Sequence, residues 1–141
     1  VSFPPPQAGQ VIRYSYLWKD EDAAGQIEGR KDRPVAVVLV LGSGTPAPEV
    51  VVCPITHHPH ADAVCVRIPV ATARRLGLDG EPQWVVVSEA NKFFWPGPDL
   101  RPKPGEGLAS IFLGMMPAGF MNLIRDAALN ALQSGIVQRS E

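Results

Sequence analysis

Proline recurs too often in this chain for most of it to be helical. Inside a helix it removes an amide donor and clashes with the preceding turn, so the spacing between prolines caps helix length. The fifteen prolines leave two long free stretches, residues 7–33, which hold three glycines, and residues 118–141. The second carries Phe120, Ile124, Ala127, Ala128, Ala131 and Leu132 at helical spacing, which predicts an amphipathic C-terminal helix over 118–134. An all-helical bundle is thereby excluded. Hydrophobic residues make up 45% and charged residues 19% of the 141, enough to fill one core and too apolar for wholesale disorder.

The remaining apolar segments read as strands. Over residues 11–18, Ile12, Tyr14, Tyr16 and Trp18 alternate onto one face. Residues 35–41 and 50–55 are continuous apolar runs around the turn-rich connector 42–48, and predict a buried antiparallel hairpin. Residues 63–68 and 84–88 read as further strands, with 91–95 continuing the last. Residues 69–76 predict a short helix closed by Gly77. Residues 1–8, with their Pro4-Pro5-Pro6 run, form an extended arm, and residues 19–32, rich in charge, a long solvated loop. The expectation is one domain over 9–141, mainly β (α+β): a small, partly closed antiparallel barrel with a short helix and a C-terminal helix.

Thirteen basic and fourteen acidic side chains give a formal charge of -1, so a nucleic-acid partner would need a local basic patch. Arg13, Arg30, Lys31 and Arg33 supply one. No apolar run reaches membrane-spanning length and no charged-then-apolar leader is visible, which predicts a cytoplasmic protein. Cys53 and Cys65 sit in apolar segments as free thiols would.

The two loops leaving the hairpin hold the chemistry. In an antiparallel pair, Arg33 at the start of one strand comes near Thr56 at the end of the other. The shared rim would then hold guanidinium groups, a hydroxyl, the imidazoles of His57, His58 and His60, and the carboxylate of Glu28. That inventory binds a phosphate and moves protons around it. The histidines read as loop residues, not a metal site, because no carboxylate is spaced to complete a zinc shell. Lys92 and Trp95, in the aromatic segment 88–99, are candidates to hold bases, which stack on rings beside Arg or Lys. Phe93, Phe94 and Trp95 suit a core or a dimer interface as well.

Gly9-Gln10-Val11 opening the first strand, Arg33-Pro34 entering an apolar strand, and Pro54-Ile55-Thr56 leading into a loop occur in an order that resembles the PemK/MazF growth-inhibitor toxins over residues 9–90. The resemblance implies a metal-independent, cofactor-free endoribonuclease that cleaves single-stranded RNA sequence-selectively. It also implies a homodimer neutralised by a cognate antitoxin protein. By the same resemblance, Arg33 holds the scissile phosphate and Thr56 hydrogen-bonds it. Glu28 and His57 are the candidates for the base, and Arg13, Arg30, Lys31, Lys92 and Trp95 for RNA binding. The segment His57-His58-Pro59-His60 departs from the family pattern and motivates an alternative, a non-catalytic RNA- or protein-binding module derived from the same fold.

Overall fold

The two continuous apolar runs form the centre of the structure, a computed structural model that describes residues 3–25, 32–132 and 136–139. In chain order the elements are β1 (Gln10–Tyr14), α1 (Lys19–Ala23), β2 (Arg33–Leu41), β3 (Glu49–Thr56), β4 (Cys65–Arg67), α2 (Val70–Arg75), β5 (Trp84–Val86), β6 (Asn91–Phe94), β7 (Phe112–Met115), α3 (Ala118–Ala131) and β8 (Val137–Gln138). β2 and β3 pair antiparallel, with Val35 opposite Pro54 and Leu41 opposite Glu49. The sheet runs β4-β5-β3-β2-β1-β7, and β6 pairs with both β3 and β8. Every pairing is antiparallel except β6 with β8. Among the described residues no ladder joins β4 to β7, so the sheet is open.

Proline explains how one strand serves two neighbours. Residues Glu49 to Val52 of β3 pair with β6, whereas Ile55 and Thr56 pair with β5 on the same edge. The change falls at Cys53-Pro54, where proline has no N–H to offer a ladder.

The strands are apolar on both sides because both faces are covered. Ala36 and Val38 of β2 with Val51, Cys53 and Ile55 of β3 pack towards Ile68, Leu76, Met121 and Ile124. This is where α3 buries Met121, Ile124 and Ala128. The alternate residues, Val35, Val37, Val50 and Val52, pack with Ile12, Tyr14, Tyr16, Phe93 and Trp95. Tyr14 and Phe93 stack with centroids 4.9 Å apart, although β1 and β6 are separated by β2 and β3. The sheet therefore curls over this second, aromatic core. Gly114 permits the closest approach on the first face: a Cβ there would meet Leu76 Cδ2 at 3.0 Å.

Several expectations are corrected. The first strand ends at Tyr14, because the chain beyond it leaves the ladder: Ser15 N–H donates to the Asp99 carbonyl (2.9 Å) and Leu17 N–H to Asn91 Oδ1 (2.9 Å). The segment read as a solvated loop begins with α1. Trp18 N–H donates to Glu21 Oε1 at 3.0 Å, and Asp20, Glu21 and Asp22 crowd the first turn, a helix-start pattern. Residues 91–95 do not continue β5, since β6 belongs to the opposite half of β3. The C-terminal helix spans Ala118–Ala131, and its expected extension over 133–134 lies outside the described residues. β7 and β8 were not anticipated.

The short β8 strand ends in a buried charge. Arg139 Nη2 lies 3.1 Å from Asp99 Oδ2, and Nη1 donates to the Ser15 carbonyl (2.8 Å), Asn91 Oδ1 (3.0 Å) and Tyr14 Oη (3.3 Å). Asn91 Nδ2 in turn donates to the Leu17 carbonyl at 2.8 Å. This cluster ties β1, β6, β8 and the Asp99 loop together. Both cysteines are free, and burial pushes the Cys53 thiol up to about 12. Among the described residues no helix is long and apolar enough to cross a membrane.

Candidate functional site

Arg33 and Thr56 line one cavity. The β2–β3 pairing ends at Val35–Pro54, two residues short of each of them. The cavity, of about 520 Å³, is lined also by Arg13, Trp18, His57, His58, His60, Asp79, Gln83 and Lys103. β1 ends beside it, Tyr14 opposite Arg33, which delivers Trp18 to the cavity wall.

Arg33 is the unusual residue of this site. Its guanidinium carbon lies 4.9 Å from the Trp18 ring centroid, within cation–π range. Its Nε is buried with no hydrogen-bond partner. Among the described residues the side chain makes no ion pair. Burial lowers its pKa from the ordinary arginine value, with the charges of Glu21 and Tyr16 opposing the shift. An arginine stays charged through such a change. The cost of a half-buried, unpaired cation falls once an anion supplies the missing acceptors.

Thr56 has two functions available at once. Its Oγ1 accepts the His58 N–H at 3.2 Å, fixing the turn after β3. The hydroxyl proton remains to be donated into the cavity.

His57 is held at both ring nitrogens. Nδ1 lies 3.1 Å from the Pro82 carbonyl and Nε2 2.9 Å from Asp79 Oδ2. Asp79 is itself oriented, its Oδ1 accepting Glu81 N–H (3.0 Å) and Gln83 Nε2 (2.9 Å). Neither nitrogen of His57 thus turns an unengaged lone pair to the cavity. His60 instead meets Trp18 edge-on, centroids 5.6 Å apart.

The other candidates separate. Arg13 lines the cavity, its Nε donating to the Arg101 carbonyl at 3.3 Å and Nη2 3.7 Å from Asp32 Oδ2. Glu28, Arg30 and Lys31 lie outside the described residues. Lys92 sits on β6 opposite Val51, on the half of β3 away from Thr56. Trp95 is a core residue: it is 8% exposed, its indole N–H donates to the Pro4 carbonyl (3.0 Å), and it packs on Phe3, Phe93 and Phe112. The aromatic available to the cavity is Trp18, last of the alternating set Ile12, Tyr14, Tyr16, Trp18. Lys103, Asp79 and Gln83 are additions that no local pattern marks. Among the described residues no group of three or more His, Cys, Asp or Glu could hold a metal ion.

A second hollow adjoins at His60, lined also by Lys19, Asp20, Asp62 and Glu89. Burial raises the Glu89 carboxyl pKa, Asp20 adding to the shift, while hydrogen bonds from Lys19 N–H (2.9 Å) and Tyr16 Oη (3.3 Å) and the charge of His60 oppose it. The folded state then holds this proton more tightly than the unfolded chain does. Stability from Glu89 is full below the ordinary value of about 4.3 and falls as pH rises through the raised one. Glu89→Gln should flatten that falling limb in a series of melting curves. An unchanged slope would remove Glu89 from it.

No protein-family model, curated protein or solved structure matches this chain.

Proposed function

We propose that the chain is an endoribonuclease of the PemK/MazF kind, cutting single-stranded RNA by attack of the adjacent 2′-hydroxyl. The supporting observation is the unpaired, half-buried Arg33 guanidinium, set against Trp18 and facing the same cavity as the Thr56 hydroxyl. In this reading the open, curled sheet with its C-terminal helix is a partly closed barrel of the toxin type. The protein works as a cytoplasmic homodimer, restrained by a cognate antitoxin.

The scissile phosphate sits between Arg33 and Thr56, and Arg13 and Lys103 favour the strand electrostatically. The O2′–P bond forms as the P–O5′ bond breaks, the 2′-hydroxyl proton passes to a base and O5′ acquires a proton. The products are a 2′,3′-cyclic phosphate and a 5′-hydroxyl. The planar fork of Arg33 matches the phosphoryl oxygens whose charge grows in the transition state. Trp18 offers a neighbouring base a stacking face. The step needs no metal. Glu28 and His57 are still the candidates for the base, and His57 could act only by releasing Asp79 or the Pro82 carbonyl.

The test is incubation of purified protein with short single-stranded RNA in excess chelator, reading the product ends. Cyclic-phosphate termini are expected. Retention of RNA without cleavage would favour the second reading, a non-catalytic binding module, which the doubly engaged His57 motivates. Neither binding nor cleavage would overturn both RNA readings and leave a protein-binding module.

A further inference from the structure

We infer a second nucleotide subsite on the same sheet, built from Trp84 and Arg67, that holds the RNA residue flanking the one in the Arg33 cavity. It rests on the ribonuclease reading and extends it to a substrate of several nucleotides. Residues directly opposite each other in an antiparallel ladder project to one face. Thr56 is opposite Trp84, and Trp84 is opposite Arg67. Thr56, Trp84 and Arg67 therefore make one row across β3, β5 and β4, and Arg33 lines the cavity at its Thr56 end. At a strand spacing of about 4.8 Å, that row spans roughly 10 Å, further than one bound phosphate reaches.

The far end of the row has the chemistry of a nucleotide platform. The Arg67 guanidinium lies over the Trp84 ring, 5.6 Å from its centroid. Neither Arg67 nor Arg74 makes an ion pair among the described residues, and both are exposed. They line a hollow of about 270 Å³ that neighbours the main cavity, with Leu78, Asp79 and Gln83 lining both. Glu81 and Asp79 also line it, but Asp79 is already taken by His57, Glu81 N–H and Gln83. Bases stack on guanidinium planes as they do on rings. A base can therefore cover the outer face of Arg67 while its phosphate meets the guanidinium N–H edge.

The test compares two probes, uridine 3′-monophosphate and an uncleavable 2′-O-methyl octanucleotide of mixed sequence, by calorimetric titration of the full chain. Arg67→Gln should weaken the octanucleotide about tenfold and reduce the slope of log affinity against log salt by about 0.7. Mononucleotide affinity should not move. An octanucleotide affinity unchanged by Arg67→Gln, or an equal loss for both probes, would overturn the subsite. Wild-type protein that binds neither probe would instead overturn the ribonuclease reading on which it rests.

Discussion

Replacing Arg33 with alanine should lower RNA cleavage by about 10²- to 10³-fold, the cost of removing one donor aimed at developing transition-state charge. The same substitution should leave the melting temperature unchanged or slightly raised. That pairing of effects follows from the geometry. The Arg33 side chain makes no hydrogen bond or ion pair within the described structure, and its buried Nε lacks an acceptor. Its removal strands no hydrogen-bond partner and relieves a desolvation cost, which offsets the loss of its stacking on Trp18 and of its attraction to the Glu21 carboxylate. A residue that stabilises substrate at the expense of the empty protein behaves in this way. Arg33→Lys should recover little activity, because an ammonium has no planar fork. Cleavage rates and melting curves on the same preparations decide the matter. A variant that melts several degrees lower with full activity would make Arg33 a structural residue.

Arg139→Ala should destabilise the protein by about 3–5 kcal/mol, the range for breaking a buried ion pair at one partner. Against a total of about 5–15 kcal/mol for a domain, this lowers the melting temperature by roughly 10–20 °C. Arg139 is 5% exposed and Asp99 7%, so the carboxylate left behind stays buried. Ser15, Asn91 and Tyr14 each lose a charged donor as well. Pairing Arg139→Met with Asp99→Leu should recover part of the loss, since replacing both charges leaves neither ion uncompensated. A single variant within 1 kcal/mol of wild type in denaturant titration would show that Asp99 finds other partners without cost.

How much of this was legible in the sequence depends on the range of the interaction. The β2–β3 hairpin was readable because two apolar runs and one turn fix it locally, and that hairpin brings Arg33 and Thr56 to the rim of one cavity. α2 and its Gly77 terminator, and α3, were readable from helical spacing and turn chemistry. α1 is hidden in a charged run that reads as solvated chain, although acidic residues crowding a first turn, here Asp20, Glu21 and Asp22, are a helix-start signal. β8 was invisible: it is two residues long, and the partners that hold it, β6 and Asp99, lie far from Val137 along the chain. Trp95 was misplaced among the RNA contacts for a related reason. Its neighbours suggested an exposed aromatic cluster, whereas the rings that cover it, Phe3 and Phe112, lie far along the chain. Trp18 lies beyond the end of β1, on chain held by hydrogen bonds to Asp99 and Asn91 that no local pattern marks.

The Arg139 cluster also bears on the order in which the molecule assembles. Ser15 and Arg139 are separated by 124 residues, and contacts of such long range slow folding more than they weaken the folded state. The hairpin of β2 and β3 can form early, because its ends are close in sequence. The segment from Ser15 to Trp18 is held by Asn91, Asp99 and Arg139, all distant along the chain. The wall that sets Trp18 against Arg33 is therefore expected among the last parts to form. A chain caught partway would hold its central strands before it held a cavity able to grip phosphate.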